Sequence, residues 1–468
     1  MDDKPNKPGA DWEAMVPYWN QVGTILEGAH AMREAGELYL PRFPNESQAD
    51  YSFRRKSAKF TNVFRDILEG LASKPFAKEL DIEEGAPARF DAIVEDIDGR
   101  GNHLQVFAAE TFFSGIGFAI DWILVDYTKS GGAQTVAEEV AIGARPYWVH
   151  VPAKCVIDVQ SEIMQGRERL SLVKIMESDK RLRIFRRQMV GKEGAEKTPV
   201  VSWEVLEEND NGEWIRADGG ILTLPEIPMV PFVTGRRKGA KWQFLPPMRD
   251  AADLQVELYQ QESGLKHIKT LTCFPMLAGN GVTPDMTAAG APKPVPVGPQ
   301  AVLYAPMDSN GNHGEWKWIT TEADVLRFLA EDVDTTIKQL REMGRQPLTA
   351  QSGNLTKITT AVAAAKGNSA VQMWALGLKD ALELALKYTA MWLNESAEPT
   401  VSIHTDFGIS AMEEQAPGLL IEARKNGDIS GTTLRAELKR YGVLGAEFDE
   451  DAERAALLAD VINEVDQP

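Results

Sequence analysis

A polar break at Gly344-Arg345-Gln346-Pro347-Leu348-Thr349-Ala350-Gln351-Ser352-Gly353-Asn354-Leu355 divides two of the most helix-like stretches in the chain. Before it runs TEADVLRFLAEDVDTTIKQLREM, residues 321–343. After it runs the Ala-rich TTAVAAAKGNSAVQMWALGLKDALELALKYTAMWLNE, residues 359–395. A compact enzyme core seldom joins two long helices through a segment this polar and this rich in Gly. Such a loop reads as something presented rather than packed.

Length and composition set the outer bounds. The 468 residues suffice for several domains and a sizeable core. Hydrophobic residues at 43% and charged residues at 25% are ordinary for a folded protein. The net charge of −19 argues against a groove built to grip nucleic acid tightly, but not against a surface past which DNA slides. Two cysteines far apart, Cys155 and Cys273, imply no disulfide framework or cysteine zinc site, and fit a reducing cytoplasm. The polar N-terminus lacks the apolar core of a targeting signal. The longest apolar run, 116–125, is about half the ~20 residues a spanning helix requires, and Asp121 interrupts it. No membrane partner is therefore expected.

The texture changes along the chain, and an α+β fold is expected. Residues 10–115 read as mostly helical, with Pro17 as the one breaker between Trp12 and Met32. Ser47 is placed to cap a helix, and Phe60, Phe64, Ile67, Leu68 and Leu71 mark one buried helical face. An amphipathic stretch follows from Pro87 to Phe113. From 115 to 235 the chain predicts antiparallel strands: 116–127, 145–159, 169–176, 182–190, 200–206 and 214–215. Turns are expected at Asn209–Gly212 and Asp218–Gly220, and Ile227–Phe232 closes the region. Pro246-Pro247 opens a helix to about Leu271, with Leu254, Leu258, Leu265 and Ile268 on its apolar side. A Gly- and Pro-rich insertion follows, with strands at 302–304 and 315–319 around an Asp308–Gly311 turn. Beyond 400 a short strand, 401–404, precedes helical pieces at 411–426, 432–441 and 449–465. Gly427 suits the end of the first piece, and Thr432 is the expected cap of the second.

Motifs for known chemistry do not assemble. Gly235–Trp242 has Gly and Lys without phosphate-loop spacing, and reads as a solvated basic turn. Gly115-Ile-Gly117 lacks the third glycine of a dinucleotide fingerprint and reads as a strand turn. The six histidines are scattered, none at metal-ligand spacing from another. Neither a metal nor another cofactor is expected. Carboxylates are abundant before the polar break, at Glu322, Asp324, Glu331, Asp332, Asp334 and Glu342. They form either a solvated helix face or a surface that repels phosphates and prevents sticking. The basic run Lys180–Arg187 alternates on a strand, with Arg181 and Arg183 opposite Leu182 and Ile184. It reads as an exposed sheet edge or a subunit contact with acidic neighbours, with a nucleic-acid patch as the alternative.

The order of these segments resembles the portal protein of tailed bacteriophages, the head-to-tail connector family, along the whole chain. The residues that carry it are Tyr39–Ser47, Asn62–Pro75, Ile227–Phe232 leading to Pro246–Leu254, and Gly427–Thr433 followed by Glu437–Gly442. No single motif is diagnostic, and the specificity lies in their order. The resemblance implies a protomer with wing, stem, clip, tunnel loop and helical crown that assembles into a ring. Residues 1–245 would be wing, helical then antiparallel β; 246–271 the first stem helix; 272–321 the clip; and 322–344 the second stem helix. Residues 345–360 would be the tunnel loop, 361–395 the long wing helix, and 396–468 the C-terminal wing and crown helices.

The same resemblance implies a dodecameric ring at one capsid vertex, through which double-stranded DNA is packaged and ejected. It implies docking of the terminase large subunit and then of the head–tail adaptor. Major capsid and scaffolding proteins would be further partners. The location would be the virion, after assembly in the host bacterial cytoplasm. No enzyme activity is implied, in keeping with the missing phosphate loop. Gln346, Gln351, Asn354 and Lys357 would be tunnel-loop contacts to phosphates, with Gly344 and Gly353 letting the loop move. Glu331, Asp332, Asp334 and Glu342 would be channel-lining stem residues. Two alternatives stay open: another ring-forming neck or connector protein, and an enzyme with an unfamiliar carboxylate site.

Overall fold

Caps and apolar spacing build the N-terminal helical layer. The computed structural model describes residues 4–82, 86–87, 89–128, 138, 141–191, 197–272, 276–280, 286–287, 290, 314–319, 323–345, 357–405, 407, 416–440, 443–444 and 452–453. Helix α1 (Ala10–Glu27) continues through Pro17, and the break falls instead at Gly28, whose φ of 94° ends it before α2 (Ala29–Glu34). Ser47 caps α3 (Gln48–Ser57) by accepting from the Asp50 amide at 3.1 Å. Asn62 caps α4 (Val63–Ala72), and its amide also donates to the Ile25 carbonyl at 2.7 Å, which ties α4 to the end of α1. Phe64, Ile67, Leu68 and Leu71 are all buried on α4, as their spacing predicts. Phe60 lies before the helix and packs against the same core.

Strand β1 (Asp81–Ile82) leads to α5 (Arg89–Val94) and α6 (Leu104–Phe118). The stretch 87–113 is therefore two helices rather than one. Residues 116–118 belong to α6 and not to a strand, so Gly115 and Gly117 are helical rather than a strand turn. Their purpose is close approach: a Cβ on Gly115 would lie 2.3 Å from the Phe232 ring. Ala119, in the left-handed region at φ 73°, turns the chain into β2 (Ile120–Tyr127).

Two antiparallel sheets follow, so the fold is α+β. The stretch 145–159 divides between them, into β3 (Pro146–Val151) and β4 (Val156–Met164), joined by a short 3-10 turn at Ala153–Cys155. Strands β5 (Arg167–Ser178), β6 (Arg181–Val190), β7 (Thr198–Glu208) and β8 (Trp214–Leu222) continue the second sheet in the order β4-β5-β6-β7-β8. Asn209–Gly212 makes the expected turn, whereas Asp218–Gly220 lies inside β8, next to a register shift at Val205/Leu206. β9 (Met229–Val233) returns to the first sheet, ordered β3-β2-β9. β10 (Arg236–Arg237) and β11 (Phe244–Leu245) form a minimal hairpin.

β6 is interior to its sheet, so the basic run is not an edge. Three of its five charges are met by carboxylates within the chain. Arg181 pairs with Glu177 at 2.7 Å and with Glu207, Arg183 with Asp126 at 2.6 Å, and Arg186 with Glu204. Partnered in this way, Arg181, Arg183 and Arg186 do not form a free phosphate-binding patch.

The remaining helices are long. They are α7 (Arg249–Thr272), α8 (Ala323–Arg345) and α9 (Lys357–Trp392), with the ribbon strands β12 (Met276–Asn280) and β13 (Glu315–Ile319) between the first two. β14 (Val401–Ser402) pairs with β1, and α10 (Ala416–Asn426) and α11 (Gly431–Arg440) follow. Gly427 ends α10 at φ 83°, as expected. The cap of α11 is Ser430, which accepts from the Thr433 amide at 3.0 Å, and not Thr432. Most of 449–465 lies outside the described residues. No helix among the described residues is long and apolar enough to cross a membrane.

The first sheet carries one buried ion pair. Asp121 on β2 is fully buried, and His150 Nε2 on β3 lies 2.6 Å from its Oδ2. Burial pulls the imidazole toward its neutral form. The hydrogen bond and charge of Asp121, with Glu110 on α6, outweigh this and hold His150 above its ordinary value. A raised folded value means that the pair's contribution is complete below the unfolded histidine range of about 6.5 and is lost as pH rises through the folded value. Thermal unfolding from pH 6 to 9 is expected to show this loss in the wild type and not in His150→Gln. His150→Leu, which strands the carboxylate, is expected to cost about 3 kcal/mol or more in urea unfolding at pH 6.

Candidate functional site

The unit 249–392 is built from three helices and a ribbon, and its root is polar. α7 begins where Pro246 and Pro247 predict, with the Ala252 amide bonded to the Met248 carbonyl at 2.9 Å. Its buried face holds Ala251, Ala252, Leu258 and Tyr259, and also Gln255 and Glu262. Gln255 accepts from the Phe64 amide and donates to the Thr61 carbonyl, each at 2.9 Å. Glu262 accepts from the Thr61 amide at 2.9 Å and its hydroxyl at 2.6 Å, and pairs with Lys59 at 2.8 Å. Sequence periodicity gave no hint of these two residues, because a buried Gln and Glu look like breaks in an apolar stripe.

Beyond α7 the ribbon forms. β12 pairs antiparallel with β13, from Met276↔Ile319 to Asn280↔Glu315. The expected strand at 315–319 is present, but its partner is 276–280, which the sequence did not mark. The expected strand 302–304 lies outside the described residues. α8 returns along α7 and also packs on α4. It buries Val333, Thr336 and Leu340, and Gln261 on α7 donates to Asp332 at 3.1 Å.

Glu331, Asp332, Asp334 and Glu342 all occupy exposed positions on α8, outside the Val333–Leu340 seam. They share that surface with bases. The helix has five carboxylates and four Lys or Arg residues, so its charge is close to balanced. Arg327 pairs with Asp324 at 3.0 Å and with Glu331 at 3.8 Å. The face is thus mixed in charge rather than uniformly negative, with Glu331 partly neutralised and Asp332 turned toward α7.

Gln346, Gln351 and Asn354 lie outside the described residues. Lys357 is the first residue of α9, so that helix begins four residues before the expected 361. Gly344 is the last but one residue of α8, and a Cβ there would lie 2.6 Å from Ile67 Cγ2 and 2.7 Å from its Cγ1. Its use is close packing of α8 on α4, not loop motion. Gly353 lies outside the described residues.

α9 then runs back onto the first sheet. The Trp148 indole on β3 donates to Thr389 Oγ1 at 2.8 Å, and the Trp392 indole donates to the Val125 carbonyl at 3.0 Å. Trp374, Leu378, Leu382 and Leu386 are buried along its inner side. Among the described residues, no three His, Cys, Asp or Glu side chains are placed to hold a metal ion.

The comparisons fall on this geometry as follows. The family described as "Domain of unknown function (DUF4055)" matches residues 247–393, from just before α7 to just after α9. No curated protein matches the chain. Among solved structures, the neck of a native gene transfer agent particle computed with C12 symmetry is similar at 12% identity and a TM-score of 0.41, covering 87% of this chain and 98% of that one. The neck of an empty particle computed with C6 symmetry covers 94% and 98%, also at 12% identity and 0.41. The virion of the native particle covers 90% and 98%, at 12% identity and 0.43. Scores this low do not establish a shared fold.

The root of the unit is testable. Gly344→Ala is expected to destabilise the chain by about 1–3 kcal/mol through overpacking against Ile67. Ile67→Ala in the same chain is expected to relieve part of that cost, so a double-mutant cycle by urea unfolding should show strong non-additivity. Additive effects would place Gly344 away from Ile67.

Proposed function

We propose that the chain is the protomer of a phage-type ring, a portal through which double-stranded DNA passes at a capsid vertex. The observation that carries this is the connectivity of one unit. Helix α7, a two-stranded ribbon, helix α8, a polar segment and the long helix α9 follow in the order of stem, clip, stem, tunnel loop and wing helix. The family match over 247–393 spans the same unit, which supports its being inherited as a piece. On this reading the ribbon faces the terminase during packaging and the head–tail adaptor afterwards, and the protein is structural rather than catalytic.

The physics of passage suits α8. DNA condenses onto positive charge, and a wall of mixed, nearly balanced charge repeated around a ring gives weak contacts that are easily exchanged. Glu331, Asp334 and Glu342 would keep phosphates from settling, while the interspersed bases limit outright repulsion. Gln346, Gln351, Asn354 and Lys357 would supply the longer polar contacts at the narrowest point. A ring also needs a repeated heterologous interface, in which different patches of neighbouring copies meet.

Two measurements test the proposal. Sedimentation of the purified protein is expected to give a closed multiple of the 51.6 kDa protomer; a monomer under all conditions would falsify it. Replacing Gln351, Asn354 and Lys357 together by Ala is expected to leave that assembly intact while impairing DNA packaging or retention. Packaged genomes of normal length and yield in this variant would count against the loop's role.

A further inference from the structure

The start of α1, the first half of β4 and the turn of the β10–β11 hairpin close around a pocket of about 240 Å³. Its walls are largely indole. Trp12 and Trp19 come from α1, Trp122 from β2 and Trp242 from the hairpin turn, over a base of Ile120 and Val156. Trp122 and Trp242 meet at 5.3 Å between ring centres, with 35° between their planes, and form one wall. Three of the rings are fixed by their polar edges. Trp12 donates to the Lys154 carbonyl at 2.9 Å, Trp19 to the Phe118 carbonyl at 2.9 Å and Trp242 to Ser161 Oγ at 3.1 Å. With those edges bonded elsewhere, what these indoles offer the pocket is apolar surface and the negative potential of their faces.

Two of the described residues that line the pocket carry charge, and both are carboxylates: Asp11 and Asp158. Asp11 accepts from the Trp242 amide at 2.7 Å and from Gln243 Nε2 at 2.9 Å, both neutral donors. Asp158 lies over the start of α1, where a Cβ on Gly9 would fall 2.6 Å from its Oδ1. The bare backbone at Gly9 is what lets this carboxylate reach the rim. Two cations stand beside the pocket rather than lining it. Lys174 is 3.3 Å from Asp158 Oδ2, and Arg237 is held by Glu168 at 2.6 Å and 2.7 Å. Arg237 also lies 4.4 Å from the centre of the Trp242 ring, so one of these indoles already carries a cation in this fold.

The combination selects a ligand class. An uncharged apolar group would gain from the indoles but not from the carboxylates, and an anion would be repelled by both. A volume below the ~300 Å³ of sites for larger ligands limits the occupant to a small group. We propose that the pocket binds a small organic cation, an alkylated ammonium whose carbons lie on the indole faces and whose charge faces Asp11 and Asp158. The site takes no lining residue from the α7–α9 unit and does not depend on the ring reading.

Tryptophan fluorescence of the full-length protein tests this, with choline chloride replacing sodium chloride at constant ionic strength. The control ligand is its neutral carbon isostere, in which a tert-butyl group replaces the trimethylammonium. Choline is expected to give a saturable change, with an affinity at least about fivefold above that for the isostere, the size of one cation–π contact. Asp158→Asn is expected to weaken choline at least about threefold and to leave the isostere unchanged. Trp12→Leu, with folding checked by circular dichroism, is expected to weaken both ligands. The proposal is overturned by the lack of a saturable change with choline, by an isostere that binds as tightly as choline, or by choline binding that survives either substitution.

Discussion

The direction in which α7 leaves the helical layer depends on the polar clasp between that helix and the segment 59–64. Gln255 and Glu262 reach from one helix into the backbone that leads to another, and satisfy Thr61 and Phe64 where water does not reach. Buried amides and carboxylates are costly unless partnered, so these contacts fix the rotation of α7 and not only its position. Apolar packing alone would tolerate a helix turned or slid by a residue. The clasp does not, and the direction in which α7 leaves the helical layer is set with it.

Two further contacts hold the later helices of the unit. The end of α8 lies against α4 at a contact only glycine permits, Gly344 over Ile67. α9 is held on the first sheet by indole hydrogen bonds from Trp148 and Trp392. The α8 contact lies just before the polar segment, whereas the indole bonds hold α9 at the end remote from it.

What could be read from the sequence was whatever depends on local chemistry. Ser47 and Gly427 announced helix ends because capping acts over a few residues, and the apolar period of 321–343 announced α8. What failed had distant causes. Residues 116–118 are rich in Ile and Phe and looked like strand, yet helix α6 claims them because Gly115 must approach Phe232. Residues 276–280 gave no strand signal, since Met-Leu-Ala-Gly-Asn becomes strand only by pairing with 315–319. The arginines of β6 suggested an edge because their acidic partners, Asp126, Glu204 and Glu207, come from other strands. For the candidate site, the carboxylates of α8 are legible in the sequence, but which of them are met is not: Arg327 takes Asp324 and Glu331, and Gln261 of the neighbouring helix takes Asp332. The buried pair Gln255 and Glu262 was invisible for the same reason.

α8 ends in a close contact at the start of the polar break, and the ring account turns on where that end points. In the ring account, the α7–ribbon–α8 unit lies nearest the symmetry axis and the five-stranded sheet lies outside. Electron cryomicroscopy of the assembled particle, reconstructed without imposed symmetry, measures this directly. The account predicts a closed ring with α8 and the segment after it at the wall of a central opening. A ring with β4–β8 at the axis and α8 on its periphery would contradict it.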